Sequence, residues 1–103
     1  MEYLIQESTL DALANAYAAD KQIDKAIDTF KKAAKATDIP ALSSESLFNA
    51  AIILMSQNKN DDALKLCQEI KDKYPSAPLC ARQQQNGVVL DAVIDKYIEK
   101  LSK

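Results

Sequence analysis

An all-α array is the fold class this sequence predicts, made of two helix-turn-helix units and a C-terminal capping helix. Three observations predict it. The 103 residues include one glycine and three prolines, too few turn-formers for a chain of many short strands. Apolar residues recur at helical spacing on either side of short polar breaks. The phrase "KAIDTFKKAAK" at 25–35 is answered by "DALKLCQEIKD" at 62–72, with Ala26 aligning on Ala63, 37 residues further on. A helical phrase that returns at a fixed interval marks a unit that buries its apolar face against the next copy.

The elements follow in order. Leu10, Leu13, Ala14 and Tyr17 fall at i, i+3, i+4 and i+7, and Ile23, Ala26, Ile27, Phe30 and Ala33 repeat that spacing after a polar break. These predict the two helices of a first unit over about 7–40. Leu47, Ala50, Ala51 and Leu54, then Ala63, Leu66, Cys67, Ile70 and Tyr74, predict the second over about 43–76. Pro40 is expected to end the first unit, and the Ser43-Ser44-Glu45 step to cap the next helix. In "SQNKNDDA" Asn58 suits a left-handed helix end, Asn60 a cap, and Asp61 and Asp62 the positive end of the helix dipole. Asp28 and Lys32, Asp61 and Lys65, and Glu69 and Lys73 are acid-before-base pairs at i, i+4, each contributing a few tenths of a kcal/mol. Pro75 and Pro78 close the second unit. In "LDAVIDKYIEKL" Leu90, Ile94, Tyr97, Ile98 and Leu101 share a helical face, which predicts a capping helix within 78–102 that turns Asp91, Asp95, Lys96 and Lys100 to water. Gly87 is expected to hinge or break it.

Composition bounds the chemistry. Hydrophobic residues at 48% and charged residues at 27% describe a globular chain. A net charge of -2 leaves no basic excess for a phosphate backbone, so no nucleic-acid partner is expected. The longest strongly apolar run is "AAIILM" at 50–55, far short of the roughly 20 residues of a bilayer span, so no direct membrane insertion by this chain is expected. "MEYLIQES" lacks the basic and long apolar regions of a signal peptide. The expected compartment on that count is the cytoplasm, or the periplasm if a membrane anchor precedes Met1. With no histidine and no glycine-rich loop, neither an imidazole base nor a phosphate cradle is present, and no enzyme activity, cofactor or metal site is expected. Asp61 with Asp62 and Asp91 with Asp95 sit where helix starts and solvated faces put carboxylates. Lys31, Lys32 and Lys35, with Asp24, Asp28 and Asp38 nearby, read the same way. Cys67 occupies a core slot, giving an inert buried thiol; a redox role or a Cys67–Cys80 disulfide are the alternatives.

At these residues the chain resembles the tetratricopeptide (TPR) repeat family, whose pattern is a bulky residue, L-G-x2-Y, A-x3-F and a proline. The first unit supplies Leu10, Leu13, Ala14, Tyr17, Ala26 and Phe30, with Leu10 for the usual tryptophan and Asp38 in the proline slot. The second supplies Leu47, Ala50, Ala51, Leu54, Ala63, Cys67 and Pro75. The resemblance implies a right-handed helical array in which Ala14, Ala26, Ala51 and Ala63 admit close helix contact. The period exceeds the usual repeat of about 34 residues, and the excess is placed in the connection "TDIPALSS". The phrases "AIDTFKKAAKATD", "DDALKLCQEIKDKYP" and "IDKYIEK" further resemble membrane-tethered TPR proteins of the bacterial envelope, similar in plan to the ancillary subunit of the protein-export translocon.

What the resemblance implies about function is a protein-interaction scaffold that takes a peptide or protein segment in a concave groove. The groove positions are Ser8, Asp11, Asn15 and Ala18 in the first repeat and Glu45, Phe48, Asn49, Ile52 and Met55 in the second. Asn15 and Asn49 match asparagines with which one TPR subgroup clamps a terminal carboxylate. Asp11 replaces the lysine expected beside them and would repel that carboxylate. Phe48, Ile52 and Met55 make the helix at 45–56 apolar nearly all round, which leaves three readings open: burial under the chain's own segment from Leu79 to Leu90, an apolar strip for a partner, or self-association. The candidate site is Asp11, Asn15, Phe48, Asn49, Ile52 and Met55. The rival reading is a structural module stacking on other repeats, with a possible homodimer through this face or the Tyr3-Leu4-Ile5 edge.

Overall fold

The computed structural model describes the backbone of residues 2–102 and the side chains of residues 7–82 and 84–102. Four long helices, α1 (Glu2–Ala19), α2 (Ile23–Lys35), α3 (Pro40–Ser56) and α4 (Asn60–Lys73), precede a short 3-10 turn (Pro78–Cys80). A hairpin of β1 (Gln83–Gln85) and β2 (Val88–Leu90) then leads into α5 (Val93–Leu101). Each helix packs on the next, α1 on α2, α2 on α3, α3 on α4, and α5 closes against α4. This is the all-α array of helix pairs with a terminal helix.

Small residues set the helix approach. Ala14, Ala26, Ala50, Ala51 and Ala63 are all at 0% exposure, so the backbones meet over methyl groups. Phe30, Leu47, Leu54, Leu66, Cys67, Ile70 and Ile94 fill the space between. Leu13 departs from its expected place and is 43% exposed; it lies on the flank of the stripe that Ala14 and Tyr17 define.

The repeat is exact in its turns. After α1 the amide of Gln22 donates to the carbonyl of Tyr17 (2.8 Å) and that of Lys21 to Ala18 (3.0 Å); after α3 the amide of Lys59 donates to Leu54 (2.9 Å) and that of Asn58 to Met55 (3.0 Å). These are Schellman closures. Their left-handed residues are Lys21 (φ 62) and Asn58 (φ 60), one period apart, so Asn58 has the role its sequence signalled and Lys21 adopts it without the signal.

Four local expectations are corrected. Pro40 begins a helix instead of ending a unit: it stands in the first turn of α3, where its missing N–H costs nothing, after Ile39 in extended conformation. Ser43 and Ser44 are consequently inside α3 and buried, and the Ser43 hydroxyl donates backward to the carbonyls of Ala34 (2.7 Å) and Thr37 (3.2 Å). It closes the end of α2 rather than the start of α3. The extra length of the period is therefore helix and not loop. Asn60 likewise falls inside α4, whose cap residue is Lys59 with no side-chain bond. Of the three acid-before-base pairs, Glu69–Lys73 closes at 3.5 Å.

The C-terminal segment differs most. Leu90 belongs to β2 and α5 starts at Val93. Gly87 neither hinges nor breaks a helix: with Asn86 (φ 53) it forms a two-residue turn, at φ 78, which pairs Gln85 with Val88 and Gln83 with Leu90 in antiparallel register. Positive φ at both positions is the type I′ geometry that Asn-Gly favours. Ile94 is 1% exposed, and Tyr97, Ile98 and Leu101 pack against the core. Asp95, expected in water, pairs with Lys71 of α4 at 2.7 Å.

Candidate functional site

The first helices of the two pairs, α1 and α3, carry every candidate residue. Asp11 is half-buried and Asn15 exposed on α1; on α3, Phe48, Asn49 and Met55 are half-buried and Ile52 is 39% exposed. The structure brings Phe48 and Asn49 together in the wall of an open cleft of about 360 Å³, whose other lining residues are Ala41, Ser44 and Glu45 of α3 with Pro78 and Leu79 of the 3-10 turn. Asp11, Asn15, Ile52 and Met55 lie outside that lining. Pro78 and Leu79 make the mouth apolar, while Glu45 and Asn49 offer a charge and an amide at its rim.

The apolar girdle of α3 is divided. The Phe48 ring meets Tyr97 of α5 edge to face, with centroids 5.0 Å apart and planes at 82°, a favourable quadrupole arrangement. Met55 and Ile53 pack against the core. The cover over Phe48 thus includes the capping helix and not only the segment from Leu79 to Leu90, whose Val88 and Val89 are 58% and 60% exposed. Ile52 remains on the surface. The Tyr3, Leu4 and Ile5 side chains lie outside the described residues.

Beside the cleft, sequence reasoning missed a polar junction between α1 and α3. Ser46 is fully buried and its Oγ lies 2.9 Å from Glu7 Oε1 and 2.9 Å from Asp11 Oδ1. Glu7 is 4% exposed. Burial first, then its hydrogen bond with Asp11, pushes the Glu7 carboxyl from 4.5 up to about 7, against a smaller downward pull from Ser46; the charges of Asp11 and Glu45 add to the rise. The available signal was Glu7 and Asp11 at i, i+4 on a face shared with Ala14. Glu7 points inward from that face.

A broader cleft of about 670 Å³ is lined by Asp24, Asp28, Lys31, Lys59, Asp62, Lys65 and Glu69 around Ile27, Leu54 and Leu66. Its four acids and three lysines nearly balance and so favour no one ligand charge. Among the described residues no three His, Cys, Asp or Glu side chains converge as a metal site. Cys67 and Cys80 are both free thiols. Burial pushes Cys67 up to about 11, and Cys80 is raised by burial and then by Asp95, so neither is an activated nucleophile. No helix among the described residues is long and apolar enough to cross a membrane.

The family model for the tetratricopeptide repeat matches residues 45–77, which spans the body of α3, the Asn58 turn and α4 to its terminating loop. The chain contains a tetratricopeptide repeat. The α1–α2 pair has the same closure one period earlier, so the helix-turn-helix plan occurs twice in the backbone. The chain is also similar to the ancillary SecYEG translocon subunit of Buchnera aphidicola subsp. Schizaphis graminum, at 40% identity over 60 residues. That match covers 58% of this chain and 31% of the relative, so the chain spans about a third of the length of the curated relative it matches. No solved structure matches the chain. The matched TPR unit contains Phe48, Asn49, Ile52 and Met55, whereas Asp11 and Asn15 precede it.

Proposed function

We propose that this chain is a non-catalytic protein-interaction module whose α1–α3 wall takes a peptide or protein segment, with Ile52 and the Phe48–Leu79 cleft as apolar contacts and Asn15 and Asn49 as orienting hydrogen-bond partners. Asp11 sets the polarity of the wall and Met55 supports it from behind. The observation that carries this reading is the open cleft that joins Phe48 and Asn49 to Pro78 and Leu79, a concave apolar site with few polar groups. The similarity to an ancillary SecYEG translocon subunit supports a protein client or partner at a translocon as the setting.

Site-specific photo-crosslinking tests it. A photoreactive residue at Asn49 or Ile52 is expected to give discrete protein adducts in a bacterial host, while one at Lys32, exposed on α2, gives none. Equal labelling at the two faces would count against the groove. Asn49→Ala and Ile52→Asp should weaken partner capture with the helical signal unchanged. Phe48→Asp is the wrong probe, because Phe48 also holds Tyr97. Self-association is the second reading, favoured by Leu13 and Ile52 at 43% and 39% exposure. Light scattering over a hundredfold dilution distinguishes a monomer near 11.4 kDa from a persistent dimer.

A further inference from the structure

The carboxyl junction between α1 and α3 has a property that the groove does not use. Glu7 and Asp11 stand one helical turn apart, and the buried Ser46 hydroxyl lies 2.9 Å from an oxygen of each. A serine hydroxyl has one hydrogen to donate. With both carboxylates ionised, one of the two contacts would set lone pair against lone pair, at a glutamate that has lost nearly all its water. A second proton resolves the conflict. Among the described residues no cation substitutes for it: the charges acting on Glu7 are Asp11 on its own helix and Glu45 on α3, both acidic.

We propose that Glu7, Asp11 and Ser46 form a proton-operated latch between α1 and α3, closed while Glu7 holds a proton and opened when Glu7 ionises. In the closed state Glu7 donates its own hydrogen bond and the Ser46 hydroxyl serves the remaining carboxylate. Loss of the proton places two carboxylates, with Glu45 nearby, around one donor, and the favourable response is to hydrate the junction by loosening α1 from α3. The sign follows from the direction of the shift. A carboxyl lifted from 4.5 to about 7 binds a proton in the folded chain that the unfolded chain has released, so the stabilisation is full below the lower value and is lost as pH rises through the upper one. Any consequence for partner binding rests on the groove reading, since α1 and α3 carry that wall; the latch itself does not.

The test uses the full chain without a partner. Carbon-13 NMR should show the Glu7 side-chain carboxyl titrating near neutrality, and urea unfolding should show the folding constant falling about ten- to a hundredfold between about pH 5 and about pH 8. Glu7→Gln, neutral and of the same shape, should remove that fall. Amide exchange along α1, corrected for its intrinsic pH dependence, should quicken relative to α4 over the same range. Glu7 titrating below about 5, in the ordinary carboxylate range, would overturn the latch, as would Glu7→Gln keeping the wild-type fall or α1 keeping its relative protection. If Glu7→Gln does not fold, the wild-type titration and exchange decide the matter alone.

Discussion

Ile94→Ala is the substitution that asks whether α5 is part of the repeat core or an attachment to it. Ile94 is 1% exposed and belongs to the same cluster as Cys67 and Ile70 of α4. The change removes three buried carbons, about 2 to 3 kcal/mol of transfer free energy at about 0.8 kcal/mol per methylene. Incomplete collapse of the cavity adds to that, within the range of about 2–5 kcal/mol for such truncations. α5 has nine residues, and a helix shorter than about 12 is marginal without packing. It is held by Ile94, by Tyr97 on Phe48 and by the Asp95–Lys71 pair, of which the last has an exposed lysine and contributes little. At about 4–8 °C per kcal/mol for a domain of this size, thermal unfolding by circular dichroism should move down by at least about 10 °C. Amide exchange should quicken in α4 and α5 together, because removing the cap uncovers Cys67 and Ile70. A melting temperature within about 2 °C of wild type, well below the shift expected for one buried methylene, would refute the burial argument. Loss of protection in α5 alone, with α1 to α4 unchanged, would show that the cap is not coupled to the array.

Further outcomes follow from the same packing. Ala26→Leu should cost about 1–3 kcal/mol in urea unfolding, because Ala26 is at 0% exposure where helices meet and added methylenes have no space to occupy. Lys21→Gly should raise stability by about 1 kcal/mol in urea unfolding, since a lysine at φ 62 carries a left-handed cost that glycine escapes; no gain would refute that cost. Maleimide should leave Cys67 unmodified in the native protein and modify both thiols after denaturation, because Cys67 is buried and its pKa is about 11 and the thiolate is the reacting species. Native labelling of both at equal rates would contradict the packing of α4.

The sequence by itself determined the helices, their order and the repeat. Ile27, Phe30, Leu47, Leu54, Leu66 and Ile70 are legible as core because a 3.6-residue periodicity is a local property that needs no knowledge of the partner surface. The terminating Asn58 was legible for the same reason. Asn86-Gly87 carried an equally local hairpin signal, but it competed with the strong helical face of Ile94, Tyr97, Ile98 and Leu101 and was absorbed into it. Tertiary structure alone decided the rest. Whether Ser43 caps its own helix or the preceding one depends on where α2 ends in space, and whether Phe48 is groove or core depends on Tyr97, which lies 49 residues away in the chain. The same holds for Glu7 and Asp11: two acids at i, i+4 look solvated on a helical wheel, and only the approach of Ser46 on α3 turns them inward. Polar side chains take their meaning from a partner at long range, and spacing along one helix cannot supply it.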